Sequence, residues 1–121
     1  MNFRQSGKYY EYKTLEILEK GGYKVLRIPV SGTGKQALPD IIATHNNVIF
    51  AIEVKSTSKN YVEIDKQQIE KLFKFCEMFN FCECKTLVVV HYKKYKSVIF
   101  YNLKQDVRGK EKIKFKYGNN S

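Results

Sequence analysis

Long apolar runs are missing from this chain. The longest are about the length of a strand, far short of the roughly 20 residues that cross a bilayer, so a spanning role is not expected. The opening MNFRQSGKYY carries no apolar signal-peptide region. Cysteine is scarce and odd in number, at 3. That count implies a reducing compartment rather than a disulfide framework. Zinc is not expected either. Cys82-Glu83-Cys84 and Cys76 have no second C-x-x-C pair to join, Cys76 falls on the apolar side of a helical pattern, and His45 and His91 are distant in sequence. No internal repeat, linker or low-complexity block precedes the last few residues. Acids are the scarce charge: 12 Asp and Glu stand against 22 Lys and Arg, a formal net charge of +10. That excess exceeds what solubility needs and points to a polyanionic partner.

A length of 121 residues gives one domain with a modest core, and 43% hydrophobic residues with 9 Tyr and 8 Phe suit a globular α/β protein. The most informative stretch is 39–55, PDIIATHNNVIFAIEVK. Two runs of strand formers flank the polar turn His45-Asn46-Asn47 and read as a β-hairpin. Pairing brings Asp40, at the start of the first strand, beside Glu53, near the end of the second. Side chains alternate along a strand, so Glu53 and Lys55 share one face while Val54 points to the other. Two carboxylates and a lysine then converge at one edge of an apolar sheet. Such a group can hold a hard divalent cation through oxygen and keep a positive charge near its water.

The remaining elements follow from periodicity. Residues 9–20 read as a helix, with Ser6 as a candidate cap and Gly21-Gly22 as its stop. Glu11, Leu15 and Leu18 fall on one face. A carboxylate there needs a metal or a nearby base, unless it reaches water at the edge of the face. Residues 23–29 read as a strand, followed by the Gly-rich loop Ser31-Gly32-Thr33-Gly34-Lys35. That loop fails the nucleotide-binding pattern, because Gln36 stands where Ser or Thr is required. It suits a nucleic-acid backbone instead, with glycines for close approach, hydroxyls on Ser31 and Thr33, and charge on Lys35. Residues 56–61 read as a polar loop. A second helix runs from 64 or 65 to 79, with Gln68 at the edge of its apolar face and Gln67 as a rival. Strands are expected at 85–92 and 97–103. The basic segment 104–121 carries Lys104, Arg108, Lys110, Lys112, Lys114 and Lys116, and alternates like an edge strand over 112–117.

The order Glu11, Ser31, Asp40, Glu53, Lys55, with Gln68 beyond, resembles the archaeal Holliday junction resolvases, including versions carried by archaeal viruses, within the PD-(D/E)XK nuclease superfamily. The resemblance covers roughly residues 4 to 103. It implies an α/β fold with a central mixed sheet of about five strands flanked by helices, a restriction-endonuclease-like core. It implies a structure-specific endonuclease that cuts four-way DNA junctions by paired symmetric nicks, as a homodimer, in the cytoplasm (of the host, if viral). It further implies Mg²⁺, with Mn²⁺ able to substitute, held by Glu11, Asp40, Glu53 and the Val54 carbonyl. Lys55 would orient or help deprotonate the attacking water. Ser31 and Gln68 would position phosphate or water, and Arg4, Lys8, Gly32, Thr33, Lys35 and Lys59 would meet DNA. Neither a membrane nor a nucleotide cofactor is implied. Two other functions fit the same residues. One is a related nuclease with another DNA target. The other is a non-catalytic DNA-binding module.

Overall fold

The computed structural model describes residues 7–29 and 38–118. In chain order the elements are α1 (Gly7–Lys20), β1 (Lys24–Arg27), β2 (Ile41–His45), β3 (Val48–Thr57), β4 (Tyr61–Asp65), α2 (Lys66–Glu77), β5 (Glu83–Tyr92), β6 (Ser97–Leu103) and β7 (Lys112–Lys116). Five strands form a mixed sheet in the order β1-β2-β3-β5-β6, and β4 pairs with β7 in a separate two-stranded sheet. Only the β3–β5 pair in the larger sheet is parallel. The crossover between those two strands contains β4 and α2, as a parallel connection requires.

The β2–β3 turn fixes the register on which the site depends. Asn46 and Asn47 both take positive φ, 50° and 67°. That is the two-residue hairpin turn whose twist matches its strands, and Asn tolerates it well. His45 therefore faces Val48, and the ladder runs back to Ile41 facing Ile52. One residue further, the Asp40 N–H donates to the Ile52 carbonyl at 3.0 Å, and the Asp40 carbonyl accepts from Ile28 at 2.9 Å. Asp40 thus stands at the position opposite Glu53, held from both sides by the backbone.

The sheet separates two cores. On one face Leu18 of α1 packs with Ile41, Ala43, Ile52, Val54 and Val89. On the other, Ile69, Leu72 and Phe73 of α2 and Val62 and Ile64 of β4 pack with Ala51, Val88, Val90 and Tyr92. Alternating residues of β3 and β5 serve the two cores in turn, so both strands are buried on both faces. Behind α1, His91 is buried. Thr14 Oγ1 donates to the Tyr10 carbonyl at 2.8 Å and lies 2.8 Å from His91 Nε2. With its one proton given to Tyr10, Thr14 can only accept from His91, which makes the imidazole the neutral Nε2–H form. Burial, with the charge of Lys13 nearby, lowers its pKa to about 4.

Two expectations change. The stretch 56–61 is not a loop throughout. β3 continues to Thr57 and β4 begins at Tyr61. Val62 and Ile64 point into the core, and the partner strand β7 lies some fifty residues away in sequence, beyond the reach of local patterning. The aromatic and apolar residues near the end of α2 divide between core and surface. Phe73 is core, while Met78 and Phe81 are exposed. The cysteines are not all reduced. Cys76 and Cys84 form a disulfide, leaving Cys82 free. The short turn between α2 and β5 brings their Cα atoms to 5.3 Å, a separation a disulfide spans without distortion.

Candidate active site

β2 has five residues and β3 has ten, so the β2 ladder ends before β3 does. Past Ile52 the next inward N–H on that edge, that of Val54, has no strand partner. It donates instead to Asp40 Oδ2, at 2.9 Å. This bond replaces the missing ladder contact and aims the Asp40 carboxylate along the strand edge toward Glu53.

Glu53 is 5% exposed. It lies two residues beyond Ala51, on the face covered by α2. Two side chains of α2 reach it. Gln68 sits at the third helical position and closes a capping box. Asp65 Oδ1 accepts from the Gln68 N–H at 2.9 Å, and Gln68 Oε1 accepts from the Asp65 N–H at 3.3 Å. With its carbonyl oxygen so fixed, the Gln68 amide nitrogen points at Glu53 Oε2, 3.5 Å away. One helical turn on, Lys71 Nζ lies 2.9 Å from Glu53 Oε1. The ammonium and the carboxylate form a close, largely covered ion pair. Burial, and then repulsion from Asp40, push the Glu53 carboxyl up to about 7, against the pull of Lys71 and, more weakly, Lys55. Lys55 is half-buried two residues along the same strand face.

Glu11 approaches from α1, on the opposite side of the sheet. Arg27 Nε donates to its Oε1 at 2.8 Å, with both side chains largely covered. Arg27 also lies over the Tyr12 ring, 5.0 Å from its centroid. Burial raises the Glu11 carboxyl, opposed by the Arg27 bond and reinforced by the charge of Asp40.

The structure therefore gathers Glu11, Asp40, Glu53, Val54, Lys55 and Gln68 at one end of the sheet. It does not close them into a ready cage. Among the described residues no three Asp, Glu, His or Cys side chains converge as metal ligands. Each acid has its own partner: Arg27 for Glu11, the Val54 amide for Asp40, Lys71 for Glu53. Lys8 and Lys59 are exposed. Arg4, Ser31, Gly32, Thr33 and Lys35 lie outside the described residues. The sequence reading missed Arg27 and Lys71. Arg27 is the nearby base that Glu11 required. Lys71 stands three residues after Gln68, on the same side of α2, a spacing that by itself does not tell it from a surface lysine.

This fold and this cluster define a nuclease-like core with an acidic strand-edge site. The chain matches the model of the archaeal Holliday junction resolvase (hjc) family over residues 2–120, and it belongs to that family. It is 78% identical over 121 residues, the whole of both chains, to a crossover junction endodeoxyribonuclease of Sulfolobus islandicus rod-shaped virus 1. It is 40% identical over 90 residues to the crossover junction endodeoxyribonuclease Hje of Sulfolobus acidocaldarius, a match that spans 74% of this chain and 64% of that protein. The Archaeoglobus fulgidus Hjc structure superimposes with a TM-score of 0.73 at 24% identity, covering 88% of this chain and 84% of that one. A bacterial homing endonuclease gives a TM-score of 0.55 at 15% identity, over 99% and 80% of the two chains. These two likenesses show the fold, a mixed sheet with flanking helices of restriction-endonuclease type. No described helix is long and apolar enough to cross a membrane.

Proposed function

We propose that this chain is a divalent-cation-dependent endonuclease that resolves four-way DNA junctions by paired, symmetric nicks. Its membership of the resolvase family, with a viral crossover junction endodeoxyribonuclease as a full-length relative, supports the substrate class. One observation carries the chemistry: the buried Glu53 carboxylate faces Asp40, and burial with that opposed charge pushes it up to about 7 even though Lys71 pairs with it. Two acids forced together at a sheet edge fit a hard cation that accepts oxygen ligands. Asp40 and Glu53 would hold Mg²⁺, or Mn²⁺ in its place, with the Val54 carbonyl as a further ligand and Glu11 completing the set. When bound, the cation supplies Lewis-acid polarisation of the phosphate and a more acidic water.

The chain's own residues supply positioning and charge. The Val54 amide fixes the direction of Asp40, and Gln68, anchored by its capping box, steadies Glu53. Lys55 sits on the Glu53 face, where its ammonium would meet the attacking water and offset charge on the phosphate. Ser31 would help position that phosphate. In-line attack breaks the bond to the 3′ oxygen and leaves a 5′-phosphate and a 3′-hydroxyl. Arg4, Lys8, Gly32, Thr33, Lys35 and Lys59 would track the backbone, in keeping with the net charge of +10.

A homodimer fits the substrate, because a two-fold protein presents two sites to two symmetry-related strands. Met78 and Phe81, exposed beside the α2–β5 turn, are candidates for its contact surface. A cytoplasmic site of action is compatible with the Cys76–Cys84 disulfide in hyperthermophiles, whose intracellular proteins carry such bonds.

The test is cleavage of a synthetic junction, with each arm labelled in turn, against its component duplexes, in Mg²⁺ and in EDTA. Two opposed nicks near the branch, in Mg²⁺ only, are expected. Equal cutting of duplex would return the chain to the wider class of DNA nucleases. Binding without cutting in any metal would make it a DNA-binding module.

A further inference from the structure

Lys71 is the side chain that the family order does not include and the geometry puts in the middle of the site. Its ammonium meets Glu53 Oε1 at 2.9 Å, with 19% of the lysine side chain exposed and 6% of the glutamate. No other carboxylate among the described residues lies within ion-pair distance of it. Its charge also reaches Glu11 across the site. Among the described residues, with Glu53 ionised, three acids (Glu11, Asp40, Glu53) and three bases (Arg27, Lys55, Lys71) make the cation-free site neutral. A divalent ion added with every base in place would leave two uncompensated positive charges in a covered cleft. Something must yield. Arg27 is held to Glu11 by its planar guanidinium, whereas Lys71 has a four-carbon stem that can carry its head to water.

We propose that Lys71 is a resident counter-ion of Glu53 that competes with the divalent cation for this carboxylate and is displaced from it when the cation binds. This rests on the reading of Asp40 and Glu53 as metal ligands. Lys71 is a positioning residue in this role. It keeps Glu53 folded into the site between turnovers and weakens cation binding by competing for one carboxylate oxygen.

Calorimetry with Mn²⁺ at pH 8.5 tests it on the full chain. Lys71→Met should bind Mn²⁺ more tightly than wild type, by about tenfold or more, and Lys71→Arg should stay near wild type or weaker. Saturating Mn²⁺ should raise the melting temperature of Lys71→Met by more than that of wild type, because the variant starts from an unpaired buried carboxylate. A third measurement needs no variant at position 71: on adding Mg²⁺ to wild type, the Lys71 ammonium and Cε resonances should move to those of a solvated lysine, and in Asp40→Asn they should not. Wild type binding Mn²⁺ while a folded Lys71→Met binds it more weakly would overturn the displacement and leave the metal reading intact. So would unmoved Lys71 resonances at saturating Mg²⁺. No Mn²⁺ binding to wild type at all would overturn both.

Discussion

Replacing Glu53 with Gln should stabilise the metal-free protein while destroying its activity. The carboxyl is raised from an ordinary 4.5 to about 7 by burial and by Asp40. A carboxyl whose folded pKa is raised favours folding below its unfolded value and loses that contribution as pH climbs through the folded one. The shift corresponds to about 3 kcal/mol, at about 1.4 kcal/mol per pH unit, fully lost above about pH 8. Gln resembles the neutral acid in size and keeps an oxygen near Gln68, so it avoids that loss. His91 titrates over much of the same range with the opposite sign. Its folded value of about 4 lies below an ordinary 6.5, so its contribution is present above 6.5 and lost as pH falls toward 4. The wild-type curve alone therefore mixes two opposed trends, whereas the difference between variant and wild type cancels His91. Denaturant unfolding in EDTA from pH 4.5 to 8.5 measures that difference. It should be near zero at the acid end and reach about 3 kcal/mol in favour of Glu53→Gln at pH 8. Parallel curves, or a variant less stable at pH 8, would show that Lys71 fully offsets the burial of Glu53.

Asp40→Asn should fold and bind junctions but not cut them, because Asn can still accept the Val54 N–H while losing the ligand charge; near wild-type cleavage would remove Asp40 from the site. Lys55→Ala should lose cleavage and keep Mn²⁺ binding by calorimetry, as befits a charge beside the ligands rather than among them. Junction binding should fall by about 10³ to 10⁵ between roughly 50 and 200 mM salt if about 6 to 10 phosphates are contacted, measured by fluorescence anisotropy. Replacing Cys76 and Cys84 together by Ser should cost about 2–3 kcal/mol in denaturant unfolding, the size set by a short closed loop with a sequence separation of 8.

The hairpin was legible from the sequence because every step in it is local. Strand formers on both sides of His45-Asn46-Asn47 fix the turn, the turn fixes the register, and the register sets Asp40 against Glu53. Gln68 could be placed at a helix edge, although nothing in the sequence separated it from Gln67. The structure separates them through the capping box with Asp65. What stayed hidden depends on contacts distant in sequence. β4 is a strand because β7 pairs with it, and the residues between 56 and 61 look polar because half of that strand faces water. Arg27 and Lys71 read as ordinary surface charges in a chain with 22 basic residues. Their roles appear only when α1 and α2 close on the two faces of the sheet. The disulfide is hidden for the same reason, since eight residues of helix end and turn decide whether two thiols meet.

The acids stand where the sheet runs out of its own hydrogen bonds. Had β2 been as long as β3, a strand carbonyl would have met the Val54 N–H and the edge would have been closed. Because β2 stops at Ile41, a carboxylate takes that N–H, and the same carboxylate is thereby held beside a second one. An unpaired backbone donor, a buried acid and an opposed acid are each unfavourable alone. Together they satisfy one another only in part, and two acids are still held side by side. A cation would relieve that repulsion, so on the proposed reading the raised Glu53 and metal recruitment have one origin. A variant that cures the first should lose the second, and the two measurements on Glu53→Gln and Lys71→Met approach that link from opposite charges.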